Sequence, residues 1–473
     1  MAKLTAIAAD VFAGGFSLGV QKHFNVLAHL EESSYGVATA RRNFPKIPIH
    51  VGVDNWPLDF FKDKVDFVFA NPPCAPFSVA GYTKTRGTDK WLTDPRLACT
   101  LTCANLRKTL RPKVYATESV TQAWSKGREF IENMVKEAAD DGYATTVLLH
   151  DAQHLGLPQA RKRVFFVFHR IGFSPRAPNW APPPVPLDVL PDKPVGEPMI
   201  EKPDYFTAKR LAKVLPGERL SKFWERTHPD ESKWKRNAQG GVAGRPAFGH
   251  CRLPVDRPSG ATVGYCLAHP VENRFLSTEE IQLLSGFPAD FVFTPNGKNA
   301  RAAEIARGVC PKVGEWLAAS VKAAIDADAP LADTKLVEYD YRRPPVDADD
   351  VQRREVPFGE TSTEPATVRS GSPRQPRLPR TEVLQGEPAK PRPAKFPVPK
   401  ADLGSGNYIR LLLTMEVFTT EEIVTAVHEH FKTSKATAAD VSYHRGKMKE
   451  AGAPVRVVRE TSQGRRLAPL KGA

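Results

Sequence analysis

Leu4-Thr5-Ala6-Ile7-Ala8-Ala9-Asp10-Val11-Phe12-Ala13-Gly14-Gly15-Phe16-Ser17-Leu18-Gly19 is the stretch that decides the fold. An apolar run of strand length, Leu4–Phe12, meets a pair of glycines and then a second apolar stretch. Glycines after a first strand let the backbone approach a nucleotide-like ligand closely; a plain tight turn explains them equally well. The pattern repeats outward. Strands are expected at Val26–Leu30, Phe67–Ala70, Val114–Thr117, Thr145–Leu149 and Val164–Phe168. Helix-period segments such as Ser34–Asn43, Pro95–Leu110 and Gly127–Asp140 lie between them. This alternation predicts an α/β fold: a mostly parallel, doubly wound sheet with helices on both faces and ligands at the carboxyl ends of its strands.

The composition narrows the function. The chain has 473 residues, 67 basic and 53 acidic, a net charge of +14 that favours a polyanionic partner, nucleic acid first. No apolar run approaches the ~20 residues of a membrane span, so no membrane partner is expected. Asp10 ends the apolar start too early for a signal peptide. The six cysteines, at 74, 99, 103, 251, 266 and 310, include no Cys-x-x-Cys pair. Reduced thiols in a cytoplasmic protein are expected, with no metal site.

Pro, at 43 residues, exceeds its usual ~5% share, which suggests linkers. Residues 1–171 carry the alternating core. A Pro-rich turn leads into a polar, basic, Trp-bearing region at 172–250, and order resumes over 251–330, with helices near Ser277–Leu284 and Pro311–Ile325. Residues 342–403 are rich in Pro, Arg and Lys and read as a flexible linker. Residues 404–473 regain periodicity. Tyr408–Met415, Thr420–Phe431 and Thr437–Glu450 read as helices, and Val455–Val458 and Arg465–Leu467 as a hairpin around Ser462-Gln463-Gly464. Helices followed by a basic hairpin resemble a winged helix that binds DNA; a small docking domain is the competing reading.

Several side chains fall at the ligand edge of the expected sheet. Glu31, ending the second strand, suits ribose hydroxyls. Asp54 is expected to end a third strand, where it could bind an adenine amino group or cap a turn. Asn71-Pro72-Pro73-Cys74 presents a thiol on a rigid turn, where a nucleophile would be needed, and a following helix N-terminus would favour its thiolate. A buried structural thiol is the bland alternative. Glu118 ends another strand, and Arg161 and Arg163 are spaced to share a face before the next.

Together these segments resemble the DNA cytosine-5 methyltransferases. The motifs run in the family's order: Asp10 to Gly14, Pro72-Pro73-Cys74, Asp94-Pro95-Arg96, Glu118-Ser119-Val120, then Gln159, Arg161 and Arg163. Arg252-Leu253, Pro258-Ser259-Gly260-Ala261-Thr262, His269-Pro270, Arg274 to Glu280 and Leu283 to Pro288 follow, so the likeness spans roughly 5–325. The resemblance implies that Cys74 adds to C6 of a cytosine flipped out of double-stranded DNA. It implies that Glu118 binds the N3 and N4 edge and protonates N3. Arg163 would hold the base carbonyl, and Arg161 would support the loop or a phosphate. S-adenosylmethionine would lie near Phe12, Gly14, Gly15, Glu31, Asp54 and Pro73, and region 172–250 would recognise the target. A monomer on DNA is expected.

The sequence departs from the family at three places. The glycine loop is two residues shorter, Ser119 replaces an Asn, and Arg307 stands where the last motif has Asn. A cation at that position could bind carboxy-S-adenosylmethionine and lead to 5-carboxymethylcytosine; contact with phosphate or with the donor's ordinary carboxylate is the alternative. A catalytically inactive DNA-binding relative is the reading of another class, and the intact Cys74, Glu118 and Arg163 set speaks against it.

Overall fold

Thr5–Ala9 forms strand β1 although alanine is a weak strand former, because Ala6, Ile7, Ala8 and Ala9 are all buried. Strands buried on both faces read as continuous apolar runs, and Phe67–Ala70 (β4) does the same. The computed structural model describes residues 3–78, 94, 96–198, 208–230, 251–260, 267–295, 297–331, 335–346, 350, 352–356, 420–430, 437, 441, 458–461 and 464–467.

The remaining strands of the main sheet are β2 (Asn25–Glu31), β3 (Ile49–Val51), β5 (Val114–Ser119), β6 (Ala144–Asp151), β7 (Lys162–His169), β8 (Leu336–Tyr341) and β9 (Arg353–Glu355). They form one nine-stranded sheet in the order β9-β8-β6-β7-β5-β4-β1-β2-β3. The five strands from β5 to β3 run parallel, and the order reverses at β1, the switch point where such sheets bind ligands. β7 is antiparallel to both its neighbours, β5 and β6. Its first residues therefore lie at the carboxyl ends of those two strands.

The helices that position the site are α1 (Gly15–Val20), α2 (Ser34–Asn43), α3 (Leu97–Leu110), α4 (Arg128–Asp140), α5 (Leu220–Thr227), α6 (Thr278–Leu284), α7 (Lys298–Arg307) and α8 (Pro311–Ala327). Local chemistry sets their starts. Ser33 caps α2 by accepting from Gly36 N–H at 3.0 Å, Ser277 and Glu280 cap α6 reciprocally, and Pro311 occupies the first turn of α8. The main core joins β-strand residues Phe67, Phe69, Phe165 and Val167 to Phe16 of α1 and to Val313, Leu317 and Val321 of α8. A smaller core joins Leu211, Val214, Leu220 and Phe223 to Ala268 and Phe275.

Contacts divide the chain into two compact units. One is Met1–Arg86 with Cys99–Phe358; the other is Gly87–Ala98 with Gly359–Ala473. The first unit runs past the expected linker start at 342, because β8 pairs with β6 and β9 with β8. The second contains α9 (Thr420–His430) and an antiparallel pair, β10 (Val458–Thr461) and β11 (Gly464–Leu467). Thr461 pairs with Gly464, so that glycine lies in the ladder rather than in the turn. The expected helices at 408–415 and 437–450, most of the linker at 342–403 and the Trp-bearing stretch at 231–250 lie outside the described residues, apart from 437 and 441. Asp54 does not end a strand: β3 stops at Val51, Gly52 turns with φ 79°, and Val53–Asn55 forms one 3-10 turn.

Candidate active site

Two groups of side chains meet at the carboxyl edge of the sheet. The first collects Cys74, Glu118 and Arg163. β4 runs into Asn71, whose N–H donates to Ala9 O at 3.2 Å and ties the turn to β1. Pro72 and Pro73 stiffen the turn, and Phe77 N–H closes it on Cys74 O at 3.1 Å. Glu118 is buried near the end of β5, and Arg163 at the start of β7 faces it, with Nε 3.1 Å from Oε1. The pocket beside them is lined by Pro72, Pro73, Phe77, Thr117, Glu118 and Ser119.

Burial governs the electrostatics of this group. It raises the Glu118 carboxyl above its ordinary range, against the opposing pull of Arg163 and Arg161. It also raises the Cys74 thiol, while Arg163 works the other way. The sequence suggested a thiolate favoured by a following helix. Cys74 to Phe77 form a turn; residues 79–93, where such a helix would run, lie outside the described residues, and desolvation outweighs the nearby guanidinium.

Arg161 does not share Arg163's role. It is buried between strands and donates to Ala306 O at 2.6 Å and to Gly308 O at 2.7 Å. Both bonds go to carbonyls of one loop. The loop it holds carries Arg307, which ends α7 exposed and forms no ion pair with another described residue.

The second group surrounds the glycine loop. Gly14 turns with φ 76° and starts α1. Gly15 is required by packing: a Cβ there would fall 2.1 Å from Val309 O and 2.7 Å from the Phe287 ring. Its lack of a side chain serves the approach of the 308–311 backbone, a reason the ligand argument did not supply. Phe12 adopts φ 47°, and its N–H donates to Glu31 Oε2 at 2.7 Å. Glu31 Oε1 accepts from Glu32 N–H at 2.9 Å and Ser33 N–H at 2.7 Å. Burial raises the Glu31 carboxyl while these backbone donors lower it. Pro73 is exposed, and the Asp54 side chain lies outside the described residues.

Three features escaped the sequence. Asp10 accepts from two thiols, Cys99 and Cys103. The i,i+4 spacing of the cysteines in the expected helix was the available signal. His150 is fully buried, stacks on Phe165 with ring centroids 5.1 Å apart, and lies opposite Arg163 in the sheet. Glu304, on α7, is buried.

A family model described as C-5 cytosine-specific DNA methylase matches residues 8–323. The chain is 30% identical over 295 residues to the Type II methyltransferase M.NgoBI of Neisseria gonorrhoeae, covering 60% of this chain and 82% of that protein. It is 27% identical over 332 residues to the Type II methyltransferase M.HgiDI of Herpetosiphon aurantiacus, covering 67% and 94%. Among solved structures, the Entamoeba histolytica methyltransferase EhMeth matches with a TM-score of 0.47 and 14% identity, over 69% of this chain and 99% of that one.

Proposed function

The chain belongs to the C-5 cytosine-specific DNA methylases, and from that premise we propose that it transfers a methyl group from S-adenosylmethionine to C5 of a cytosine flipped out of double-stranded DNA. The observation that carries the mechanism is the grouping of Cys74, Glu118 and Arg163, with Cys74 in the electrostatic reach of both and Arg163 and Glu118 paired at 3.1 Å.

Cytosine C5 is too weak a nucleophile to take a methyl group unaided. Cys74 adds to C6 and makes C5 enamine-like. Burial raises the Glu118 carboxyl and so favours its protonated form, which suits a group that hydrogen-bonds the N3 and N4 edge and gives N3 a proton as charge develops. Arg163 holds the base carbonyl and the Glu118 carboxylate together. Loss of the C5 proton then lets the thiolate leave. Because the target carbon is inaccessible in a duplex, the base must leave the stack.

Residues at the glycine loop suit S-adenosylmethionine. Glu31 is a buried acceptor at the end of β2, and Gly14 turns the backbone beside it. Phe12, Gly14, Gly15, Glu31, Asp54 and Pro73 would hold it there, and the bound cofactor supplies an electrophilic methyl group. Region 172–250 reads the target. The apolar side of α5 packs on Ala268 and Phe275, while Lys222 and Arg226 keep largely exposed side chains. α9 and the β10–β11 pair, where Arg459 lies opposite Arg466, support a winged-helix reading of the tail.

Nucleoside mass spectrometry of DNA incubated with the protein and S-adenosylmethionine is expected to give 5-methylcytosine. Cys74→Ser should abolish product and leave DNA binding intact. Product formation by that variant would reject the covalent route.

Arg307 favours a second reading, in which the donor carries an extra carboxylate. Its guanidinium is exposed and unpaired among the described residues, and Gly308 beside it packs against Ala13 of the glycine loop. A bidentate partner there suits carboxy-S-adenosylmethionine, with 5-carboxymethylcytosine as product. Supplying each donor in turn tests it; 5-methylcytosine alone in both reactions would reject it.

A further inference from the structure

A third cluster of ionisable groups lies next to the glycine loop, and the transfer chemistry does not use it. Asp10 follows β1 with φ 48°, a left-handed backbone that non-glycine residues seldom adopt. Its carboxylate is buried and meets α3, where Cys99 and Cys103 stand one helical turn apart on one face. Cys99 Sγ lies 2.6 Å and Cys103 Sγ 3.1 Å from the same oxygen, Asp10 Oδ2. The three donor atoms all fall within 4.8 Å of one another. The buried Tyr115 hydroxyl on β5 lies within the electrostatic reach of Cys103 and Asp10. Burial, then the like charge of Glu31, pushes Asp10 up to about 7, while the two thiol hydrogen bonds pull it down.

We propose that Asp10, Cys99 and Cys103 form a binding site for one thiophilic divalent cation of the zinc kind, seated beneath the glycine loop. Two thiolates and a carboxylate are a zinc-type donor set, and they leave one position open. Zinc–sulfur and zinc–oxygen bonds of ~2.3 and ~2.0 Å place tetrahedral donors roughly 3.5–4 Å apart. The cluster reaches that range after Cys99 draws back from Oδ2 by about an ångström and Cys103 by roughly half of that, movements within reach of χ1 adjustments.

The balance is simple. Two S–H bonds break, two metal–sulfur bonds and one metal–oxygen bond form, two protons go to solvent, and nothing is oxidised. With Asp10 ionised, the site carries one negative charge with the protonated thiols and one with the cation and two thiolates, so binding adds no net charge to the interior; where Asp10 is protonated, its proton leaves as well. In the cation-free state the thiols stay protonated. The Cys103 thiol pulls Cys99 down, but burial and the Asp10 carboxylate hold it at about 11. Asp10 N–H also donates to Leu30 O at 2.9 Å, so a cation on its carboxylate would join α3, β1 and β2 at the base of the loop.

Full-length protein, stripped with a chelator and kept reduced, is titrated with Co2+. A sulfur-to-cobalt charge-transfer band saturating at one equivalent and erased by Zn2+ is expected. The Cys99→Ser/Cys103→Ser double variant should lose the band; Cys251→Ser and Cys74→Ser should keep it. Absence of the band in the wild-type chain, or its survival in the double variant, overturns the proposal. A measurement that needs no variant guards against misfolding: Zn2+ added at pH 7 in weak buffer should release roughly two to three protons per cation bound, two from the thiols and the remainder from Asp10. Binding without proton release overturns the proposal equally.

Discussion

Arg161 makes the clearest case at the scale of single residues. Its two donated hydrogen bonds, to Ala306 O and Gly308 O, fix the segment that bears Arg307 against the glycine loop. Lysine cannot span both carbonyls with one ammonium. Arg161→Lys should therefore lose about 1.5–3 kcal/mol, the worth of one hydrogen bond to a charged group, in denaturant unfolding. It should also raise KM for the donor more than it lowers kcat; an unchanged stability and KM would remove Arg161 from this role. Glu304 allows a pH test. Burial raises its carboxyl from 4.5 to about 7, against the polar pull of Thr39 and with help from Glu31. A raised folded-state value means stability that is fully present below pH 4.5 and is lost as pH climbs through about 7. Glu304→Gln should thus stabilise the protein by about 3 kcal/mol at pH 8 and by well under half of that at pH 5, since a tenfold change in proton affinity is worth ~1.4 kcal/mol. Equal gains at the two pH values would reject the assignment. Cys74, Glu118 and Arg163 were legible in the sequence because each sits at a strand end marked by its own motif. The direction in which the Cys74 thiol moves was not, because it depends on how much solvent the fold removes. The meeting of Asp10 with Cys99 and Cys103 was equally hidden, since β1 and α3 are brought together only by the sheet.

At the scale of elements, most strands and helices follow from local pattern, and β8 shows where pattern fails. Leu336-Val337-Glu338-Tyr339-Asp340-Tyr341 places two acids in a six-residue strand and runs into Arg342-Arg343-Pro344-Pro345. Such a segment reads as the start of a linker. Glu338 is nonetheless buried, because Trp124 Nε1–H donates to it at 2.5 Å and Arg354 Nε–H at 2.8 Å. Those partners are remote in sequence, so no local rule finds them. β8 also covers the edge of β6, and Tyr341 completes the main core. A chain ended at residue 330 would expose that edge, orphan the Trp124 donor and open the core. It should aggregate or lose cooperative unfolding, whereas a chain ended at residue 358, the limit of the first unit, should unfold cooperatively. Equal behaviour of the two truncations would show that β8 adds nothing to the core. The antiparallel β7 is the other lesson of this scale: its reversed direction is what delivers Arg163 to Glu118.

For the whole molecule, the +14 charge and the Pro excess belong to a chain of two compact units, and the family match at 8–323 leaves out all of the second unit beyond Gly359. Phosphate contacts release counterions, so log affinity falls with log salt by ~0.9 per neutralised phosphate. If the second unit binds DNA through the arginines of β10 and β11, deleting residues 404–473 should weaken binding and flatten that slope by roughly one unit per lost contact. The first unit alone should keep its product, because Cys74, Glu118 and Arg163 all lie within it. Affinity measured at several salt concentrations separates the two readings of the tail. A lower slope with turnover retained marks a second DNA-binding element. An identical slope and affinity at every salt concentration would assign residues 404–473 to a protein partner, since a unit that touches no phosphate releases no counterions.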